Sequence, residues 1–393
     1  MVTDAAQMEP VDVARSLAGL IDRESLAAEE ATMLTPAVVD ALKKSGLFHL
    51  MVPTELDGGG ADMWTTVEVI EELSRADPST GWSYMANVTG AAIMLTRLGE
   101  SAVKEIFGQQ EPGIIAGMIA PSGKAEAVDG GWIVNGTFSF ASGSGYATWV
   151  TGGAVAETET GPEVIGYVVP REQAECLGNW NVQGLVATGS YDYAVKDLFV
   201  PTDFTFGNDD AKRAAEGRGP HPRRGQPSLY LERFAQATSG HVGVALGTAK
   251  RALEEITIIA DAGKKRRNAP PIREQQLFQH GYVTADAKYR ASRAYAKEAI
   301  QAATAALSIR DANTELETHR VLQSCCYAVQ CALEVVEFAY YWSGSQGLRV
   351  PHPMGRIARD MIFGQNQHIF VDTTMMMSSY PGVTSSNRLT QNP

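Results

Sequence analysis

Apolar residues in the first hundred positions recur at steps of three and four, as in VDVARSLAGLIDRESLAAEEATML (11–34) and MWTTVEVIEELSRA (63–76). That spacing is one face of a helix with 3.6 residues per turn. Thr35-Pro36 predicts another helix start, with Thr as cap and Pro in the first turn. VPTELDGGGA (52–61) reads as a loop. Its glycines mark a turn and not a phosphate cradle, since neither GxGxxG nor GKS follows.

From about 113 to 204 the pattern shortens. AEAVDGGWIVNGTFSF (125–140) contains a DGG turn and an NG turn between β-branched and aromatic residues, a strong hairpin cue. WVTGGAVA, VIGYVVP and YAVKDLFVP continue as short strands. The set predicts a compact β-barrel or sandwich. Residues 206–228 are polar and rich in Gly and Pro, which predicts a linker or long surface loop.

Long helical periodicity then returns. Leu231, Phe234, Ala235, Thr238, Val242, Ala245, Leu246, Ala249, Leu253 and Ile256 share one stripe. Residues 278–307 and 314–342 are each long enough for an antiparallel bundle helix. The expected organisation is a mostly α chain. An N-terminal helical domain (1–112) precedes a central β-domain (113–225) and a C-terminal four-helix bundle (226–393). A last stripe, Ile357, Met361, Gly364 and His368, ends on a histidine where a core face calls for an apolar side chain.

A chain of 393 residues exceeds one small core, and 44% hydrophobic with 20% charged residues is an ordinary globular composition. The net charge of −12 argues against a nucleic-acid or acidic-membrane surface, because phosphate binding needs clustered Lys and Arg. The one basic run, Lys264 to Arg267, lies in a helical stretch. The N-terminus lacks the basic and apolar regions of a signal peptide, and no window reads as a membrane span. Cys176, Cys325, Cys326 and Cys331 have no metal-type spacing, and the last three lie in an apolar helical run. No metal is expected, and a cytoplasmic location fits.

The order of these regions resembles the acyl-CoA dehydrogenase fold. Five motifs carry the resemblance: GLFHLMVPTELDGGGADMWTTVEVIEELSRADPSTGW, GGWIVNGTFSFASG, GLVATGSYDYAVKDLFVP, RRNAPPIREQQLFQ and SGSQGLRVPHPMGRIARD. Dehydrogenases of this family take a proton α to a thioester with a carboxylate and pass hydride to flavin. In many, that carboxylate lies eight residues after the Asp of the RD pair; here Asp360 plus eight is His368. The substitution is similar to the family's two-component monooxygenases, such as the oxygenase components of p-hydroxyphenylacetate hydroxylase, secosteroid phenol hydroxylase and dibenzothiophene monooxygenase.

The resemblance implies reduced FMN or FAD supplied by a separate flavin reductase, with O2 and a small aromatic, heteroaromatic or amine substrate. It also implies a homotetramer. GMIAPSGKAEAV, with Ala120 and Ser122, stands in place of the dehydrogenase loop. Phe140-Ala141-Ser142-Gly143 replaces the dehydrogenase WIT, which would put the Ser142 hydroxyl at flavin N5. His368 would be the acid/base. Trp82, Arg266, Gly344 and Gly347 would be further flavin neighbours. Asn268-Ala269 and Gly344-Ser345 depart from the FAD-gripping pairs of the dehydrogenases. The branch's common Arg and His are replaced by Val186 and Tyr146, and Gly90 stands where a substrate-contacting His is looked for. The open alternative is an FAD-dependent acyl-CoA dehydrogenase with Glu232, in YLERFAQATSGHVGVALG, as base. A degenerate binding module is a third reading.

Overall fold

The computed structural model describes residues 8–111, 113–158, 161–207, 225–265, 268–308 and 314–365, with Tyr380 and Thr384. Five helices come first: α1 Pro10–Ala31, α2 Pro36–Lys44, α3 Met63–Ala76, α4 Pro78–Arg97 and α5 Glu100–Phe107. Thr35 sits at the cap of α2 with Pro36 behind it, but its hydroxyl makes no capping bond. The break between α3 and α4 is written in Ala76-Asp77-Pro78. Asp77 is extended, as the residue before proline must be, and its carboxylate caps α4 by accepting from Thr80 N at 2.9 Å.

The middle of the chain forms β1 Ile115–Val128, β2 Gly131–Ala141, β3 Trp149–Thr158, β4 Gly161–Pro170, β5 Glu175–Cys176, β6 Tyr191–Pro201 and β7 Thr205–Gly207. They hydrogen-bond as one seven-stranded sheet in the order β5-β6-β2-β1-β3-β4-β7. Hydrogen bonding thus joins the strands into one continuous sheet, without closing it as a barrel among the described residues. Among the described residues the two edges do not pair, and each ends in a strand of two or three residues, too short to join the other. The sheet curls instead around Phe138, whose ring stacks on Tyr193 at 5.2 Å and meets Tyr167 edge-on at 5.4 Å.

The DGG turn closes the β1–β2 hairpin, with Val128 opposite Gly131. Asn135-Gly136 is not a turn. It lies inside β2 at a register shift against β6, where Asn135 Oδ1 accepts from Asp197 N at 2.7 Å. The extra residue is on β6, where Lys196 and Asp197, the latter at φ +47°, face the single Asn135. The dipeptide serves as the straight partner of that bulge, because the hairpin turn is already made at Asp129-Gly130. Of the expected linker, Phe206 and Gly207 belong to β7, paired with β4, and residues 208–224 lie outside the described residues.

The C-terminal part has three long helices: α6 Arg233–Asp261, α7 Gln276–Ser308 and α8 Thr314–Ser343. A short α9, Pro353–Arg359, runs into a π turn, Asp360–Gly364. A fourth long helix does not occur among the described residues. Its place beside α6 is taken by α3, and Gly243 and Gly247 of α6 lie on the backbone of α3 at Val67 and Glu71. One core therefore runs from Ala14 through the sheet to Ala328.

Contrary to the expectation that no window reads as a span, the stretch Leu316–Gln346 is long and apolar enough to cross a membrane by length and composition. Most of it is buried against α6 and α7. Cys325 and Cys326 are buried there, and burial pushes their thiols up to about 12 and about 11. They act as small apolar groups.

Candidate active site

The site is built where β2 ends. Phe140 has φ +65°, a left-handed conformation uncommon for an aromatic, and the kink leaves its ring 57% exposed with an edge contact to Trp180 at 6.2 Å. The last antiparallel pair of β2 and β6 is Ala141 opposite Tyr191. Extended by one residue, that register sets Ser142 opposite Ser190, and their hydroxyls meet at 2.7 Å. Gly143 follows at φ +76°, and its N–H donates to Thr188 O at 2.9 Å. A Cβ there would meet the Tyr146 hydroxyl at 2.7 Å, so the turn needs glycine.

Helix α4 supplies the opposite wall. Trp82 Nε1 donates to Ser142 Oγ at 3.2 Å, and its ring meets His241 of α6 edge-on at 4.8 Å. Asn87, one and a half turns on, donates to Ile115 O at 2.9 Å and Ser142 O at 3.1 Å, and accepts from the Tyr146 hydroxyl at 2.8 Å. Burial raises the Tyr146 hydroxyl's pKa far above its ordinary value, so it remains a proton donor. Ser190 Oγ lies 2.7 Å from Thr188 Oγ1, which donates to Leu185 O at 2.8 Å.

The same loop is held from behind by an acidic group. Leu185 N donates to Asp360 Oδ1 at 2.6 Å, and Ser79 Oγ approaches Oδ2 at 3.5 Å. Asp77, Arg356 and Asp360 are all buried, with Arg356 Nε 3.3 Å from Asp77 Oδ1. Burial first, and then the field of Asp77, pushes the Asp360 carboxyl up to about 7. The Leu185 bond and Arg356 pull the other way. Glu29 of α1 adds to the upward push, and its own carboxylate is bonded by Arg359.

The structure brings Trp82, Phe140, Ser142 and Gly143 together. Ala120 and Ser122 flank the Pro121 irregularity of β1, with Ser122 exposed. Gly344 opens the turn after α8 at φ +56°, and Gly347 lines a cleft with Arg356 and Arg359. His368 and Arg266 lie outside the described residues. Glu232 caps α6, its Oε2 accepting from Phe234 N at 2.7 Å and Ala235 N at 3.2 Å, beside a cavity lined by Tyr230, Ala303, Leu307 and Thr318. Asn87, Thr188, Ser190 and His241 join the site without being marked by the sequence motifs. Only the run of small and hydroxyl residues in GLVATGS hinted at the second and third.

An exposed aromatic face beside a buried hydroxyl suits a planar ring system with one polar edge, as a flavin is. No group of three His, Cys, Asp or Glu side chains arranged to hold a metal occurs among the described residues.

Two family models match, acyl-CoA dehydrogenase N-terminal domain over residues 12–110 and acyl-CoA dehydrogenase C-terminal domain over 239–373. Indole-3-acetate monooxygenase of Pseudomonas putida is 30% identical over 324 residues, 82% of this chain and 80% of that protein. The oxygenase subunit HsaA, a flavin-dependent monooxygenase of Rhodococcus jostii, is 33% identical over 41% of this chain and 42% of its own. The crystal structure of 3-HSA hydroxylase from Rhodococcus sp. RHA1 superposes with a TM-score of 0.86 at 22% identity, covering 98% of this chain and 97% of that one. The chain belongs to the acyl-CoA dehydrogenase superfamily, within its branch of flavin-dependent monooxygenases.

Proposed function

We propose that this chain is the oxygenase component of a two-component system. It takes reduced FMN or FAD from a partner flavin reductase and, with O2, hydroxylates a small aromatic or heteroaromatic substrate, with amines as the wider class. The observation that carries the reading is the buried Ser142 hydroxyl held between Trp82 and Ser190 behind the exposed Phe140 ring. Relatives named for indole-3-acetate and resorcinol favour an electron-rich ring.

Bound reduced flavin supplies the two electrons that divide O2 between the product and water. The chain's own groups do the rest. Phe140 and Trp82 would border the ring, Gly143 would let the backbone approach, and Ser142 would face the N5 edge. Ala120, Ser122, Gly344 and Gly347 would hold the remainder of the cofactor, with Arg266 as a phosphate partner across a subunit interface. His368 acts as acid/base toward substrate, because imidazole exchanges its proton near neutral pH. Glu232 is left as a helix cap.

A homotetramer belongs to the same reading, as does a four-helix bundle of α6, α7 and α8 with α3 on its fourth flank. Ile258, Leu277, Val283, Leu348 and Val350 are exposed apolar side chains on the C-terminal part, and a second copy would cover them. The described cysteines form no disulfide with one another, which suits the reducing cytoplasm where reduced flavin is available.

The test is to add O2 to chain preloaded anaerobically with reduced FMN and an indole or phenol, then assay hydroxylated product against hydrogen peroxide. Product formation is expected. His368→Ala should lower its rate about 100-fold or more, and Ser142→Ala should divert O2 to peroxide. Tightly held FAD bleached by an acyl-CoA would overturn the reading in favour of Glu232 chemistry.

A further inference from the structure

Four polar side chains stand in file, ending on a carbonyl. Trp82 Nε1 is 3.2 Å from Ser142 Oγ, which is 2.7 Å from Ser190 Oγ; that oxygen is 2.7 Å from Thr188 Oγ1, which is 2.8 Å from Leu185 O. All three hydroxyl residues are buried. Both ends of the file are fixed by chemistry, since an indole N–H can only donate and a carbonyl can only accept. Each hydroxyl between them has a single proton to give.

The direction follows by counting. Thr188 must spend its proton on Leu185 O, so Ser190 donates to Thr188. Ser142 therefore donates to Ser190 while accepting from Trp82. Its oxygen then has one lone pair left and no proton to offer. Toward any further group, Ser142 is an acceptor only.

We propose that Thr188 and Ser190 are positioning residues that fix the polarity of the Ser142 hydroxyl and thereby make the site select reduced over oxidised flavin. The inference rests on the proposed placement of Ser142 beside flavin N5. Reduced flavin carries a hydrogen on N5 and donates to a waiting lone pair. Oxidised flavin presents a lone pair there, which a protonless Ser142 Oγ meets lone pair to lone pair. The wall of the site thus reads the redox state of its cofactor without a charged residue, and the spent flavin is the form it releases.

The experiment is anaerobic titration of the full chain with oxidised FMN and with dithionite-reduced FMN, followed by calorimetry or flavin fluorescence. It compares the wild type with Thr188→Val, Thr188→Ser, Ser190→Ala and Ser142→Ala. The wild type should bind reduced FMN more tightly. Thr188→Val frees the Ser190 proton to turn back toward Ser142, and Ser190→Ala removes the Ser142 acceptor. Each should lower the reduced-to-oxidised affinity ratio about ten-fold, mainly by strengthening oxidised binding. Thr188→Ser keeps the hydroxyl and should keep the ratio. A merely structural loss would weaken both forms together and leave the ratio alone. If Ser142→Ala lowers the ratio but Thr188→Val and Ser190→Ala do not, the relay is overturned and the placement of Ser142 stands. An unchanged ratio in Ser142→Ala overturns the placement at N5, and the relay's role with it.

Discussion

Arg356→Met is expected to destabilise the protein by about 3–5 kcal/mol, the usual result of leaving a buried charge without its partner. Arg356, Asp77 and Asp360 are almost wholly buried, so water cannot replace the guanidinium. Two carboxyls would then share one dry pocket. The loss should depend on pH, and its sign is set by Asp360. In the wild type this carboxyl is raised from 3.8 to about 7. Above 3.8 the unfolded chain sheds the proton while the fold keeps it until about 7. The group's contribution is therefore complete at low pH and is lost as pH rises toward and past 7. Removing Arg356 pushes the same carboxyl higher still, so the variant's deficit should be smaller at about pH 5 than at about pH 8. Urea unfolding at the two pH values measures it. An equal deficit at both, or one below about 1 kcal/mol, would show that Arg356 does not hold these carboxyls.

Gly247→Ala should also be costly, against the ordinary rule. Alanine in a helix interior is favoured over glycine by about 1 kcal/mol. Here an added Cβ would press on Glu71 O and lie 2.6 Å from Ser74 Cβ and 2.8 Å from Arg75 N. Those are backbone and near-backbone atoms of α3, so α6 must move away from its neighbour. A net loss of about 3 kcal/mol is expected, at the upper end for overpacking. Gly19 of α1 is the control. A Cβ there meets only the Arg23 guanidinium at 3.6 Å, and Gly19→Ala should stabilise by up to about 1 kcal/mol. Chemical denaturation of both variants reads the contrast, and a stabilised Gly247→Ala would mean that the two helices are free to part.

The alternation of helical, strand-rich and helical regions was legible because period and turn chemistry are local. What the residues could not convey was anything settled by a distant partner. Asn135-Gly136 carries the composition of a turn, yet it lies inside β2 opposite a bulge of β6. The strands promise a closed or doubled sheet, but closure depends on edges that prove too short. The fourth flank of the bundle comes from α3, far earlier in the chain than α6. At the site, Trp82 and Ser142 were each legible from motifs, and the structure shows that they bond to one another. Ser190 was not, because its place opposite Ser142 is set by the register of β2 on β6. Asp360 appeared in the sequence only as a counting mark for His368. In the structure it is the group that ties Leu185 to the C-terminal helix.

Ser74 fills the space that a side chain would need at both Gly81 and Gly247, since a Cβ added at either would come within 2.7 or 2.6 Å of its own Cβ. Three helices, two near the start of the chain and one past its middle, thus meet at a single serine. The two stretches matched by separate family models, 12–110 and 239–373, are joined at that point. A chimera that exchanged one stretch for a relative's would have to inherit all three residues together, or replace all three. Recombination between such enzymes is constrained at a spot where no chemistry occurs.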